Sequence, residues 1–587
     1  RLRGRALLPT LPRRSSTPQP GSLMSHRIGP RPGVALLLAL FFMACGERTP
    51  AAERPNFLLI VADDMGYADI PAFGGDVPTP NLDALAARGL RATSFYVNPT
   101  CSPTRSTMLT GVDNHQAGLG NMAEFLGPEQ LGKPGYEGHL NARVVTVATL
   151  LRDAGYHTYM AGKWHLGEDS ASWPAAQGFE RDFTLLQGGG SNWSDMKYPN
   201  PAHPHLTFTR NGALVDSLPP DYYSSTAYAD FLMQAIDEQR ADGKPFFAYL
   251  SFQAVHSPFA ARDEFLQRFD GWYREGYDSV RAARTARMKA MGIIPGDASP
   301  FPGLPTVPAW ATLSPDQQTL SARRMAVYAA MLSEMDAEIG RVLQHLADLG
   351  ELDNTVVFFL SDNGAEFIEL SDLVGRAFSP AAKAWMEQNF DFRPEHWGQP
   401  GSVVDYGPAW AQASSGPLRL FKAYPTEGGI RSPLIVAGPG VAARGGTNGS
   451  FLDVSDLVPT MLEMAGATRP TARAGVPLAP LAGRSMVPVL SGAAPSVRGA
   501  DDWRGWELFG NRALRQGDWK LLSLMPSAGG TGNWELYNVA IDPGEVHDQA
   551  AAEPARRDAM IRLWEQYAAD NGVILTGDGP FAPPAKH

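Results

Sequence analysis

The chain has 587 residues, 44% of them hydrophobic and 19% charged, and carries a formal net charge of −11 at pH 7. This composition excludes a wholly disordered chain and allows more than one domain. The acidic balance, with no basic run in the body of the chain, argues against a nucleic-acid partner. An anionic ligand would therefore need a local site built from a few positive side chains.

Residues 1–54 are predicted to be an upstream extension, a targeting segment and a linker. The apolar run 34–44 follows Met24 and two arginines and ends at Cys45. It is shorter than the roughly 20 residues that span a bilayer and is typical of a secretion signal. Residues 1–23 are interpreted as lying upstream of the true start at Met24.

The end of this run resembles a bacterial lipoprotein box, Phe42-Met-Ala-Cys-Gly46, in which Cys45 would carry the lipid. Phe42 departs from the usual leucine, so ordinary secretion stays open as the alternative. Both interpretations predict an exported bacterial protein, either periplasmic or anchored to a membrane through Cys45.

The first predicted strand, 56–62, is a continuous apolar run typical of a strand buried on both faces. Asp63 and Asp64 follow it directly. Two adjacent carboxylates at a strand end indicate either a solvated turn or a metal site at the carboxyl edge of a parallel sheet. The segment 79–89 then predicts a helix, with Pro80 at its first position.

The stretch Cys101-Ser-Pro-Thr-Arg105 predicts a turn that opens a short helix. On such a helix Cys101 and Arg105 share one face. A free cysteine is usually a small buried hydrophobic residue. The chain has two cysteines and the other is Cys45, so a disulfide framework is not expected and Cys101 becomes a candidate functional residue.

Two later strand exits carry basic side chains. A helix near 147–155 leads into a strand that delivers Lys163-Trp-His165. Alternate residues of an extended chain lie on one side, so Lys163 and His165 are predicted to point the same way. The buried strand 245–252 leads to His256.

A long helix is predicted over 321–349, because apolar residues recur there at three- and four-residue steps. The strand 355–360 follows it and delivers Asp362 and Asn363. Lys422 lies in a segment that precedes a further strand, 434–437.

Two stretches, 270–315 and 365–415, lack clear periodicity and are interpreted as loops framing an entrance. His203 and His205 lie in a proline-containing loop, and this setting favours surface or substrate contacts over a second metal site.

Alternation of buried strands with helices predicts an α/β sheet whose site lies at the carboxyl ends of its strands. After about residue 500, strands within 506–522 and 533–539 and a helix over 553–570 predict a small antiparallel sheet with one helix packed on it. The predicted division is therefore an extension at 1–54, a catalytic domain at 55–498 and a small C-terminal domain at 499–587.

Taken together, these segments resemble type I (formylglycine-dependent) sulfatases, especially bacterial arylsulfatases, from about residue 56 onward. The matching stretches are Val61-Ala-Asp-Asp-Met-Gly-Tyr67, Cys-Ser-Pro-Thr-Arg105, 111–124, Gly162-Lys-Trp-His-Leu-Gly167, Leu360-Ser-Asp-Asn-Gly364, Glu427-Gly-Gly-Ile-Arg431 and the segments around Trp519 and Trp534. The resemblance implies an alkaline-phosphatase-like fold with a central mixed sheet flanked by helices.

The resemblance also implies the site. A maturation enzyme would oxidise Cys101 to the aldehyde formylglycine, whose hydrated diol is the nucleophile of this family. One calcium ion would be held by Asp63, Asp64, Cys101 in its modified form, Asp362 and Asn363, all of them oxygen donors as a hard cation requires. The implied catalytic residues are Cys101, Arg105, Lys163, His165, His256 and Lys422.

In the implied reaction the diol attacks the sulfur of a small sulfate ester. His256, near its working pKa, protonates the leaving oxygen with help from Lys422, and His165 takes the proton from the second hydroxyl as sulfate leaves. Two alternatives stay open. They are a phosphonate monoester hydrolase or phosphodiesterase of the same superfamily, and an inactive binder of sulfated ligands.

Overall fold

The computed structural model describes residues 54–377, 379–577 and 579. The extension with its lipoprotein-like box and Cys45 lies outside the described residues, so export and lipidation stay predictions. Among the helices of the described part, none combines the length and apolar character needed to cross a bilayer.

The main sheet decides where the site lies. Within the described residues it has eleven strands: β1 (Asn56–Ala62), β2 (Leu90–Tyr96), β3 (His157–Lys163), β4 (Arg181–Leu185), β5 (Phe208–Arg210), β6 (Ala213–Val215), β7 (Phe246–Ser251), β8 (Thr355–Ser361), β9 (Arg431–Ala437), β10 (Gly446–Asn448) and β11 (Leu452–Asp453). Their order is β10-β2-β9-β8-β1-β7-β3-β4-β5-β6, and β11 also pairs with β2. The central strands β8, β1, β7, β3 and β4 are parallel, so their carboxyl ends meet at one edge.

Strand β1 explains why the sequence shows an unbroken apolar run there. Leu58 and Ile60 face one hydrophobic core, whereas Phe57 and Leu59 face another on the opposite side of the sheet. All four are fully buried. Because both faces are covered, neither can carry polar residues, and the period-two alternation of a half-exposed strand is lost.

Helices cover both faces of the sheet. Within the described residues they are α1 (Pro80–Arg88), α2 (Cys101–Thr110), α3 (Asn114–Ala117), α4 (Val147–Asp153), α5 (Ser224–Gln239), α6 (Asp263–Arg268), α7 (Gly276–Ala290), α8 (Pro315–Asp348), α9 (Leu370–Ala377), α10 (Pro380–Asn389), α11 (Gly407–Ser415), α12 (Glu427–Ile430), α13 (Leu457–Ala465), α14 (Val487–Leu490) and α15 (Pro554–Asn571). The core on one face includes α1, α5 and α8, and the core on the other includes α2, α4 and α13.

The long helix α8 begins six residues earlier than predicted. Ser314 and Gln317 form a capping box, in which each side chain accepts a hydrogen bond from the other residue's backbone N–H. Pro315 occupies the first helical position, where its missing N–H is not needed. The start of α8 is therefore fixed by this local motif, ahead of the apolar stripe that the sequence shows.

The interpretation of 270–315 and 365–415 as loops was wrong, because these stretches contain α7 and α9 to α11. In α7 the buried stripe is Tyr277, Val280, Arg284 and Met288. Arg284 belongs to it because its guanidinium pairs with Asp69 at 2.5 Å. Because an arginine occupies one of the buried positions, the apolar residues alone do not show the helical period in this segment.

The C-terminal part forms its own layer. After the short pair β12 (Ala472–Arg473) and β13 (Val476–Pro477), four antiparallel strands follow in order: β14 (Trp503–Leu508), β15 (Asn511–Gln516), β16 (Trp519–Ser523) and β17 (Glu535–Asn538). Helix α15 packs on this sheet through Trp564 and Met560. The predicted fold class, a mixed α/β sheet with a small antiparallel sheet plus helix, is confirmed. The domain boundary near residue 498 stays a prediction.

Candidate active site

Adjacent parallel strands bring four acid and amide side chains together. Asp63 and Asp64 follow β1, and Asp362 and Asn363 follow its neighbour β8. The backbone N–H of Asp64 donates to Asp362 Oδ1 at 3.1 Å. All four side chains are fully buried, so these are not solvated turns.

Helix α2 brings Cys101 and Arg105 to the same place. Cys101 Sγ lies 3.5 Å from Asp63 Oδ1 and 3.6 Å from Asp64 Oδ1. One turn later, the Arg105 guanidinium pairs with Asp362 at 2.8 Å. It also donates to Ser251 Oγ at 2.6 Å, at the end of β7. The predicted helix and its shared face are therefore present.

The donor set fits a hard cation. Ligand atoms of Asp63, Asp64, Cys101 and Asp362 all lie within 4.8 Å of one another. Asn363 Nδ2 donates to Asp64 Oδ1 at 2.6 Å, whereas its Oδ1 is buried without a hydrogen-bond partner. A buried carbonyl oxygen without a donor is unfavourable unless a cation or another donor meets it. Three carboxylates and this free oxygen suit the oxygen coordination of calcium.

Each carboxylate also has a cationic partner. Lys163 Nζ lies 2.6 Å from Asp63 Oδ2, Lys422 Nζ lies 2.5 Å from Asp64 Oδ2, and Arg105 pairs with Asp362. Burial raises the pKa of Asp63 to about 7, against the opposing charge of Lys163. Burial also opposes ionisation of Asp64, but the charge of Lys422 holds its pKa below the usual range.

His165 reaches the site by a different backbone route from the predicted one. Strand β3 ends at Lys163, and His165 has a left-handed φ of 58°. The expectation of continuous extended backbone through both residues was therefore wrong. His165 Nε2 lies 2.9 Å from Glu124 Oε1, and its Nδ1 is buried without a hydrogen-bond partner.

His256 follows β7. Its Nδ1 lies 2.6 Å from the Ser257 carbonyl oxygen, which can only accept, so Nδ1 carries the proton and Nε2 the lone pair. Nε2 lies 3.6 Å from Asp64 Oδ2. Burial and the charge of Lys422 lower the pKa of His256 to about 3.

A pocket of about 90 Å³ opens above Cys101. His165, His256 and Lys422 line its charged end together with Cys101. The geometry thus joins a buried anionic cluster, three compensating cations and two neutral histidines around one side chain.

Comparison with known proteins identifies the family. Residues 55–467 match the family described as Sulfatase. The chain belongs to the sulfatase family. It is 40% identical to an uncharacterized sulfatase of Schizosaccharomyces pombe over 554 residues, 91% of this chain and 98% of that protein. It is 41% identical to an arylsulfatase of Klebsiella aerogenes over 446 residues, 76% of this chain and 94% of that protein.

The solved structure of Ps i-CgsB shares the fold of this sulfatase, with a TM-score of 0.62 and 24% identity. The match covers 88% of this chain and 93% of the chain of that structure. Because the similar proteins include one from a yeast, the comparisons do not support the predicted bacterial origin.

Two acidic residues of this sulfatase were missed as site residues. Glu366 is buried at the pocket, accepts from Ser257 N at 2.6 Å and Oγ at 2.8 Å, and lies 4.0 Å from His256 Nε2. Glu124 lies in the stretch 111–124, which resembles the sulfatase family, but the resemblance implied no role for this residue. The only signal in the sequence is that Glu366 follows Asn363 by three residues. His203 and His205 are exposed.

Proposed function

We propose that this sulfatase hydrolyses aryl sulfates to a phenol and inorganic sulfate. The observation that carries the proposal is the convergence of Asp63, Asp64, Cys101 and Asp362 on one buried point, faced by Arg105, Lys163 and Lys422. The chain is 41% identical to an arylsulfatase over 94% of the length of that protein, and this similarity supports the aryl preference.

The unmodified Cys101 thiol is poorly suited to attack. Burial raises its pKa well above the usual value, so the thiol is protonated at neutral pH and lacks the thiolate that acts as a nucleophile. This supports conversion of Cys101 by a maturation enzyme. Formylglycine at this position would supply a hydrated aldehyde as nucleophile, and one calcium ion would promote its ionisation and offset the buried carboxylates.

The site favours an anion only when a divalent cation is present. When all three are ionised, Asp63, Asp64 and Asp362 carry three negative charges, and Arg105, Lys163 and Lys422 carry three positive charges. A divalent cation would make the sum +2. In this setting Lys163 and Lys422 would bind the sulfate oxygens, and Arg105, fixed by Asp362 and Ser251, would orient residue 101.

Proton transfer is assigned to three side chains. Burial opposes the charge of Lys422, but Asp64 raises its pKa well above the ordinary value, so Lys422 holds a proton beside the pocket. His256 Nε2 offers a lone pair there, so we propose that Lys422 supplies the proton and that it reaches the leaving oxygen through Nε2 of His256. His165 acts as the base during sulfate release, since burial lowers its pKa and keeps it neutral.

The deciding experiment uses protein produced together with a maturation enzyme. We expect kcat/KM for 4-nitrophenyl sulfate to exceed that for phenyl phosphonate and bis(4-nitrophenyl) phosphate. A preference for either phosphorus ester above about tenfold, roughly 1.4 kcal/mol in transition-state binding, would favour the phosphonate hydrolase or phosphodiesterase alternative. Binding of the sulfate ester without turnover by fully converted protein would favour the inactive binder.

A further inference from the structure

The pocket above residue 101 has a mixed lining. Besides its charged residues and the polar Tyr198 and Asn200, it is lined by four aliphatic side chains, Ile368, Leu370, Leu373 and Val374. Leu373 is 8% exposed and Val374 2% exposed. An ester whose sulfate group lies at the charged residues would therefore have aliphatic side chains available to contact its substituent, and these side chains are called the wall.

Helix α9 forms most of this wall. Leu370, Leu373, Val374 and Ala377 recur at three- and four-residue steps and mark one apolar face. On the opposite face, Asp372 pairs with Lys383 of α10 and borders a separate open cleft of about 540 Å³. The helix therefore divides two spaces and turns its aliphatic face toward the active site.

Contacts on several sides hold the wall in place. Leu370 and Val374 pack against Ala382 and Met386 of α10. Leu373 belongs to a second cluster with Met122 and Ile368. The backbone N–H of Leu370 donates to Asp405 Oδ2 at 2.8 Å. The wall is thus a packed part of the protein, and it can discriminate between ester substituents of different shape.

We propose that Leu373 and Val374 of α9 determine leaving-group specificity, and that they select compact, uncharged aryl groups over sugars. This inference rests on the proposed sulfate ester hydrolysis. A sugar placed against the wall would bury hydroxyls beside side chains that offer no hydrogen bond, which is unfavourable. The pocket is small, about 90 Å³, which favours a compact substituent over a bulky one.

The first test measures fully converted wild-type protein with phenyl sulfate and galactose 6-sulfate. Because a phenol leaves more readily than a sugar alcohol whatever the pocket, the comparison uses KM, and we expect KM to be lower for the aryl ester by at least about tenfold, within the range over which pocket contacts discriminate. An equal or lower KM for the sugar ester would overturn the inference. Absence of turnover with every ester would instead contradict the proposed function, so the two failures are distinguishable.

The second test changes the wall and uses 2-naphthyl sulfate as the larger aryl ester. Leu373→Ala removes bulk, so the ratio of kcat/KM for 2-naphthyl sulfate to that for phenyl sulfate should rise about tenfold. Asp372→Asn, on the opposite face of the same helix, should leave the ratio unchanged. An unchanged ratio in Leu373→Ala, or an equal rise in both variants, would overturn the inference.

A third variant separates specificity from folding damage. Leu373→Asn should lower kcat/KM for phenyl sulfate by about tenfold or more while inhibition by inorganic sulfate keeps its wild-type constant. Sulfate reports on the charged end, which the substitution leaves intact. Equal loss of sulfate binding would show a general disruption and would count against a specificity role for Leu373.

Discussion

Glu124 Oε1 lies 2.9 Å from His165 Nε2 and joins a partly exposed carboxylate to the histidine that lines the pocket. The pair fixes the tautomer of His165, because a carboxylate accepts and Nε2 must then carry the proton. Its Nδ1, which is buried without a partner, is left as the basic atom.

The first prediction is that Glu124→Gln moves the acidic limb of the kcat profile to lower pH. Burial, Lys163 and Arg105 lower the pKa of His165, and Glu124 opposes them. Removing the carboxylate lowers this pKa further, so neutral His165 persists to lower pH. Looser positioning should also reduce kcat at the optimum about tenfold, less than the 10²–10⁴ expected for loss of the base itself.

Glu129→Gln is the matched control, since Glu129 is an exposed glutamate in the same segment. Its pH profile should equal that of the wild type. A shift of the acidic limb of the Glu124→Gln kcat profile to higher pH would contradict the assigned interaction between Glu124 and His165. In that case another group would control the limb.

The second prediction concerns residue 101. Peptide mass spectrometry of protein made with a maturation enzyme should show the aldehyde in place of the Cys101 thiol. Cys101→Ser should retain at most one turnover per site, and its steady-state kcat should fall by roughly 10³-fold or more, because a serine has one hydroxyl and cannot expel the sulfate. Sustained wild-type turnover by the serine variant would rule out the proposed nucleophile.

The third prediction is that calcium stabilises the folded protein. Binding to the carboxylate cluster should raise the melting temperature over that in EDTA, with about 2.7 kcal/mol of stabilisation at one hundred times the Kd. Asp64→Asn removes a proposed ligand and should abolish most of the shift in calorimetry. Asp353→Asn, whose side chain is 95% exposed in a surface pair, is the control. Equal calcium shifts in both variants would place the ion elsewhere.

The fourth prediction assigns proton delivery by leaving-group dependence. His256→Asn and Lys422→Met should each slow esters of weakly acidic phenols more than 4-nitrophenyl sulfate, because only poor leaving groups need the proton. A rate loss of about 10² for phenyl sulfate is expected. A uniform loss across the series would instead indicate a role in binding the sulfate group.

Much of this architecture follows from local patterns. Strands β1 and β8 are unbroken apolar runs, and polar residues directly after parallel strands must gather at one edge of the sheet. Cys101 and Arg105 meet because four residues make about one helical turn. These are short-range rules, so one sequence is enough to apply them.

Other features depend on partners far away in the sequence. Arg284 is part of a buried stripe because Asp69 and Asp76 neutralise it, and the carboxylate of Glu366 is held by Ser257. The low pKa of His256 depends on burial and on Lys422, and neither can be read from its own segment. Local sequence patterns therefore do not predict which charged residues pair when they lie far apart in the chain.

The contact between Arg105 and Asp362 spans 257 positions of the chain, while Cys101 is only 1% exposed once folded. During synthesis, the cysteine therefore emerges long before β8 supplies the acid that completes its enclosure. At about 5–20 residues per second, this interval lasts roughly 13–50 s. The order of strands along the chain would thus give the proposed maturation enzyme a period of access to residue 101, and slower translation between β2 and β8 would lengthen it.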